Sequence, residues 1–230
     1  MQYSTFAAID IGSYDVILEI FEISKKQGIR SVDKICHRME LGKDTYTLGK
    51  IRPEMEEELC RVLADFVRIM EGYRVDDYRA TASSAISEAS NSLYVLGKIH
   101  QLTGLSVTVL SNSEQRFLSY KALAAMEDNF NKIIEIGTAI LDLDGGSFQI
   151  SLFDKDALVT TQNIRMGSLR IRERLAGIQS ETEHYEEMVE ELIWNEVSSF
   201  KKMYLKDRKI ENIMLIGDVF TDSVYQNIEE

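Results

Sequence analysis

The chain is poor in cysteine, histidine and proline. Two cysteines, Cys36 and Cys60, argue against a disulfide scaffold, and three scattered histidines without a Cys-x-x-Cys argue against a His/Cys zinc site. One proline and thirteen glycines leave no Pro/Gly/Ser linker, so a domain boundary has to be read from the order of elements. No apolar run approaches the roughly 20 residues that span a bilayer. The opening residues, Met1 to Gly12, lack a basic segment followed by an apolar one. Basic residues are also outnumbered: 26 Lys and Arg stand against 38 Asp and Glu, a formal net charge of −12. That balance disfavours nucleic acid and anionic membrane surfaces as partners. The expectation is a soluble cytoplasmic protein.

What is present suits an α/β fold. Hydrophobic residues make up 44% of 230, enough for a substantial core. Residues 5–23 read as a hairpin turning at Asp10–Asp15, and a third β run spans Val32 to Leu41. From Pro53 the spacing Met55, Leu59, Val62, Phe66, Met70 predicts a helix ending near Gly72. A short strand at Tyr78–Ala82, a helix over 84–102, a strand at Ser106–Leu110 and a helix over 113–126 follow. The hairpin pattern then returns at Ile140–Leu143, Phe148–Phe153 and Leu158–Ile164. Helices at 168–176 and 181–204 and a strand at Ile213–Ile216 complete the series. Two halves that begin alike indicate an internal duplication, which we divide into residues 1–122 and 123–230. The first half holds 15 basic and 17 acidic residues and the second 11 and 21, so the acidity is concentrated in the second.

Each half carries an acid and glycine at a strand end. Asp10-Ile-Gly12-Ser13 and Asp142-Leu-Asp-Gly145-Gly146-Ser147 can each be an ordinary hairpin turn, since Asp and Gly suit such turns. Each can equally aim backbone amides at a phosphate while its carboxylate holds hydrated Mg²⁺. Two such segments in equivalent places favour the second reading. Arg165, Arg170, Arg172 and Arg174 read either as charge for a cleft or as balance for an acidic half. Cys36 and Cys60 read as small core residues, and His37 as structural.

These segments resemble the exopolyphosphatase/guanosine pentaphosphate phosphohydrolase (Ppx/GppA) family of the actin-like, sugar-kinase and Hsp70 superfamily. The matching stretches are Ala7–Ser13, Arg38–Gly42 with Gly49-x-Ile51, Ala82–Ala89 with Asn91, Val107–Glu114, Leu141–Ser147 and Arg165–Ser168. The resemblance implies duplicated ribonuclease-H-like domains around a cleft. Gly12, Ser13, Gly145, Gly146, Ser147 and Arg38 would meet phosphate, and Asp10 and Asp142 would hold Mg²⁺. The implied activity is removal of the terminal phosphate of polyphosphate or of guanosine pentaphosphate, with guanosine tetraphosphate a related ligand.

Departures from the family pattern fall on the same motifs. The position of the family's water-activating base is Gln115, whose amide cannot accept a proton. Glu114 precedes it, but adjacent helical residues point about 100° apart, and Glu114 also closes a Ser111-x-x-Glu114 capping box. Tyr14, Ser87, Asp144 and Gln149 stand where the family has asparagine, arginine, glycine and glutamate. An alternative reading is therefore a catalytically impaired member that senses a phosphate ligand or binds a protein. The segment Met214–Gly217 lies where the superfamily has a Gly-Gly-Thr turn, and the second domain reads as incomplete beyond it. Apolar surface from Ile213 to Val224 would then be covered by association, as in a homodimer.

Overall fold

In the computed structural model of the chain, residues 3–126, 130–179, 184–205 and 208–217 are described. The chain divides into two compact units, Met1–Ser111 and Asn112–Glu230.

The first unit is built on a mixed sheet of strands β1 (Ser4–Ile11), β2 (Asp15–Ser24), β3 (Gly28–Arg38), β4 (Asp77–Ala82) and β5 (Val107–Val109), ordered β3-β2-β1-β4-β5. Alternation explains its buried face. Ala7, Ile9 and Ile11 of β1 and Val16, Leu18 and Ile20 of β2 are at most 1% exposed, as period-two side chains on one face must be. Helix α2 (Pro53–Tyr73) covers that face through Leu59, Leu63 and Phe66; Pro53 starts it where a missing N–H costs nothing. Helices α1 (Leu41–Leu48), α3 (Ser84–Ser87) and α4 (Ser92–Thr103) complete the unit.

Three sequence expectations change here. Leu41 belongs to α1 rather than to the third strand, because Glu40 adopts a left-handed backbone that breaks the extended run. The helix expected over 84–102 is two helices, interrupted at Glu88–Asn91. Cys36 is exposed, not core: it pairs with Ile17, on the sheet face opposite Val16 and Leu18. Cys60 is buried as expected, and burial pushes its thiol up.

The second unit repeats the order with β6 (Thr138–Leu143), β7 (Phe148–Asp154), β8 (Ala157–Ile164) and β9 (Asn212–Ile216), arranged β8-β7-β6-β9. Both sheets pair their first strand antiparallel to the second and parallel to a later one, β4 or β9. Helices α5 (Asn112–Met126), α6 (Phe130–Glu135), α7 (Ser168–Gln179) and α8 (Tyr185–Tyr204) accompany this sheet. Residues 181–183, expected to open α8, lie outside the described residues.

Strand β7 is buried on both faces. Phe148, Ile150 and Leu152 pack with Phe200 of α8, whereas Phe153 joins Phe130 and Ile134 of α6 and Tyr120 and Leu123 of α5. Those α5 contacts explain why the unit boundary lies at 111/112 rather than at 122/123: α5 packs on the second sheet. Ile213 and Leu215 of β9 are exposed, and residues 218–224 lie outside the described set. No described helix is long and apolar enough to cross a membrane.

Asn91, just before α4, ties in the α1–α2 connection and α2. Its amide brackets the Ile51 backbone, accepting from N–H at 3.0 Å and donating to C=O at 2.8 Å, and also donates to the buried Glu56 at 2.8 Å. Lys98 completes the cluster, 3.3 Å from Glu56. Replacing Asn91→Ala is expected to cost about 2–3 kcal/mol by leaving the Ile51 groups unpaired. Urea unfolding of this variant should show a lower midpoint with an unchanged slope.

Candidate functional site

The sheet of the second unit turns from apolar to polar along one face. Reading across the ladder, Thr138 pairs with Phe153, Ile140 with Ser151 and Ser151 with Thr161, and Asp142 with Gln149 and Gln149 with Asn163. Period-two alternation puts all of these on the side where Ile140 and Phe153 meet α5 and α6. The last row, Asp142–Gln149–Asn163, lines a small polar cleft with Asn112, Gln115 and Arg116 of α5 and with Asp144 and Ser147 of the β6–β7 loop. Its water-accessible space is about 10 Å³, room for roughly one water molecule.

Each wall of the cleft has a structural cause. Tyr120 of α5 donates to Ser151, which lies 3.3 Å from Thr161, so the row beneath the cleft is a closed hydroxyl chain. Burial pushes the Tyr120 hydroxyl up, keeping it a donor. One residue earlier, Ser119 Oγ lies 3.5 Å from Asp142 Oδ2. Arg116 reaches Thr161 at 3.2 Å and Ser113 at 3.1 Å. The first turn of α5 thus brings a guanidinium and the positive end of a helix to the cleft.

The loop Asp144–Ser147 is held from behind. The Asp144 N–H closes the turn on the Ser147 carbonyl at 3.0 Å. The N-terminus of α7 consumes the loop carbonyls: Ser168 N–H donates to Asp144 at 3.1 Å, Arg170 N–H to Gly145 at 3.0 Å, and Arg170 Nε to Gly146 at 2.9 Å. Arg170, read from sequence either as charge for a cleft or as balance for an acidic half, fastens the loop backbone, and Arg172 pairs with Glu173. Two glycines permit the fastening. A Cβ on Gly167 would overlap the Asp144 and Gly145 backbone, and one on Gly217, whose φ is 117°, would overlap Leu143.

Gln115 donates from Nε2 to Asp144 Oδ2 at 2.9 Å. Facing a carboxylate, the amide must present its NH₂ group. Two positions that read as separate departures in sequence are thus one contact, which sequence could have suggested only through the helix–loop pairing of α5 with the β6–β7 turn. Glu114 is exposed and is not among the side chains lining the cleft; Ser111 precedes α5 at the N-cap position with Glu114 third in the helix.

In the first unit, Asp10 is the last residue but one of β1, as Asp142 is of β6, and accepts from Thr81 Oγ1 at 3.3 Å. Gly12 has little room, a Cβ there falling 3.0 Å from the Asp15 carbonyl. Ser13 is buried and shares its hydroxyl with Tyr46 at 2.6 Å, which reaches Ser84 at 2.8 Å. Arg38 lies 4.4 Å over the Tyr14 ring, near Asp15 and Glu40. Tyr14, in place of the family's asparagine, serves there as a platform for a cation. His37 lies 3.4 Å from Glu58.

Among the described residues no three or more His, Cys, Asp or Glu cluster to hold a metal. A two-carboxylate, amide and hydroxyl set nevertheless suits Mg²⁺, which takes one or two carboxylates and keeps its waters. Asp142, expected from the sequence as a metal residue, is the residue of this cleft that would hold it. A larger groove, about 460 Å³ beside Val189, Ile193 and Trp194 of α8, offers only apolar walls and two glutamates. Replacing Gly167→Ala is expected to displace the Asp144–Gly145 backbone and cost about 1–3 kcal/mol. A thermal melt should show a drop of several degrees.

Comparison with known proteins identifies the family and the fold. The profile of the Ppx/GppA phosphatase family matches residues 19–230. A bifunctional 3-dehydroquinate synthase/phosphatase of Fusobacterium nucleatum is 22% identical over 97% of this chain and 34% of its own length. Exopolyphosphatase 1 of Mycobacterium leprae is 25% identical over 62% of this chain and 41% of its own length. The chain thus spans about two-fifths or less of these two curated relatives. The crystal structure of the Aquifex aeolicus Ppx/GppA family member superposes with a TM-score of 0.71 at 22% identity, covering 99% of this chain and 71% of that one. The fold is the actin-like, duplicated α/β fold expected from the sequence. With the family profile covering nearly the whole chain, the protein belongs to the Ppx/GppA phosphatase family.

Proposed function

We propose that this protein is a Mg²⁺-dependent phosphohydrolase that removes the terminal phosphate of polyphosphate or of guanosine pentaphosphate. The observation that carries the reading is the polar row Asp142–Gln149–Asn163 at the end of the second sheet, continued by Asp144, Ser147 and Arg116. Such a cleft suits a phosphoanhydride only with a cation, since two carboxylates repel a polyanion. Asp142 would hold the ion, whose chemistry would be to neutralise charge on the leaving and transferred oxygens. Arg116 and the first turn of α5 add fixed positive charge, and the Gly145–Gly146 backbone, fastened by α7, lets phosphate approach closely. At the equivalent strand end of the first unit, Gly12 and Ser13 are proposed to contact phosphate, with Arg38 beside them, and Asp10 is proposed to hold Mg²⁺.

A second reading, a member that binds phosphate ligands without hydrolysis, draws on the Gln115–Asp144 contact, which spans a cleft with room for one water. One assay separates the two. Phosphate release from polyphosphate and guanosine pentaphosphate should require Mg²⁺, stop with EDTA, and fall at least 100-fold in Asp142→Asn. A ligand-dependent rise in Tm without release would instead support the second reading.

A further inference from the structure

We propose that the face of α8 carrying Trp194 is a self-association surface, on which a second copy of this chain packs antiparallel through its own α8. Helix α8 has 20 residues, a length of about 30 Å. Phe200 seats its C-terminal half on the second sheet, with Val197 and Tyr204 packed beside it. The groove of about 460 Å³ lies on the N-terminal side of that seat, and among the described residues its walls come from α8 alone. Ile193 is 36% and Trp194 65% exposed there. Tryptophan is the side chain with most to gain from leaving water at an interface, and it sits here at the middle of the helix, where a contact between two helices is best shielded.

Charge identifies the occupant. Glu186, Glu190, Trp194, Val197 and Lys201 recur at every third or fourth residue and so share one stripe of α8, acidic at one end, apolar in the middle and basic at the other. Such a stripe is complementary to itself only when reversed. An antiparallel copy related by a two-fold axis between Ile193 and Trp194 sets Glu186 level with Lys201 of the second copy and Ile193 level with its Trp194. A parallel copy would set acid against acid and base against base, which is unfavourable. The two-fold contact is closed, so it yields dimers and no longer assembly. It also places a base of each chain beside acids of the other, which offsets locally the mutual repulsion of two chains of net charge −12. A shallow crossing of about 20° keeps the apolar middle and both charged ends in contact along the helices.

Sedimentation equilibrium of the full chain over about 1–100 μM, with tryptophan emission read on the same samples, tests this. The expected result is a monomer–dimer equilibrium in which emission moves to the blue as dimer forms; Trp194 is the one tryptophan of the chain, so the signal reports this face. Trp194→Glu should weaken association at least about 30-fold. Because the position is exposed, its far-UV circular dichroism should match that of the unmodified protein. Glu186→Lys and Lys201→Glu should each weaken association about fivefold, and the double variant Glu186→Lys/Lys201→Glu should return to within about threefold of the unmodified protein. Exchange of charges would not rescue a variant that had merely lost its fold. Ile213→Lys, on the exposed side of β9, should leave association unchanged. A chain that stays monomeric over the whole range overturns the proposal. So does a dimer whose tryptophan emission stays that of a solvated ring, or one that survives Trp194→Glu and dissociates with Ile213→Lys.

Discussion

A central strand paired antiparallel on one side and parallel on the other is the constraint on which each unit depends. β1 lies between β2 and β4, and β6 between β7 and β9, so the carboxyl ends of the two parallel strands open together while the hairpin partner turns back beside them. Asp10 and Asp142 occupy the last position but one of these strands. An acid there keeps its backbone in the ladder yet reaches past the last buried row. The second unit shows the gradient plainly, from Phe153 through Ser151 to Gln149 along one strand.

Rigidity at the β6–β7 loop comes from backbone groups more than from side chains. Three successive carbonyls, those of Asp144, Gly145 and Gly146, are taken up by α7, and the approach is close enough that only glycine fits at 167. Gly217 presses on the same segment from β9. A loop fastened this way positions whatever side chain it carries, which makes the identity of residue 144 consequential. Gln115 and Asp144 are complementary as donor and acceptor, so they are one arrangement and not two separate losses.

The first unit is put together by buried polar pairs. Asp44, 1% exposed, takes the Arg52 guanidinium and backbone N–H, while Glu56 takes Asn91 and Lys98. Removing one member of such a set strands its partner in a low-dielectric interior, where an unpaired group is costly. The motif residues Ile51 and Asn91, which sequence alone left without a role, are explained by this cluster: Asn91 supplies the hydrogen bonds that Ile51 cannot find in a helix or strand.

Strong periodicity made the strands and the long helices legible, including α2 and α8, and the repeated Asp–Gly strand ends revealed the duplication. Short elements were not legible: α1 and α6 have eight and six residues, too few for a helical stripe to declare itself. Exposure of Cys36 was missed because an apolar neighbourhood in sequence does not say which sheet face a residue takes. The candidate site divides likewise. Local pattern by itself determined which residues end the strands, because alternation and turn chemistry act within a few residues. That Asp144 meets Gln115, that Arg170 fastens a loop and that Glu114 stays outside the cleft were decided only by tertiary structure, because hydrogen bonds between groups 24 to 29 residues apart depend on how helices dock on a sheet.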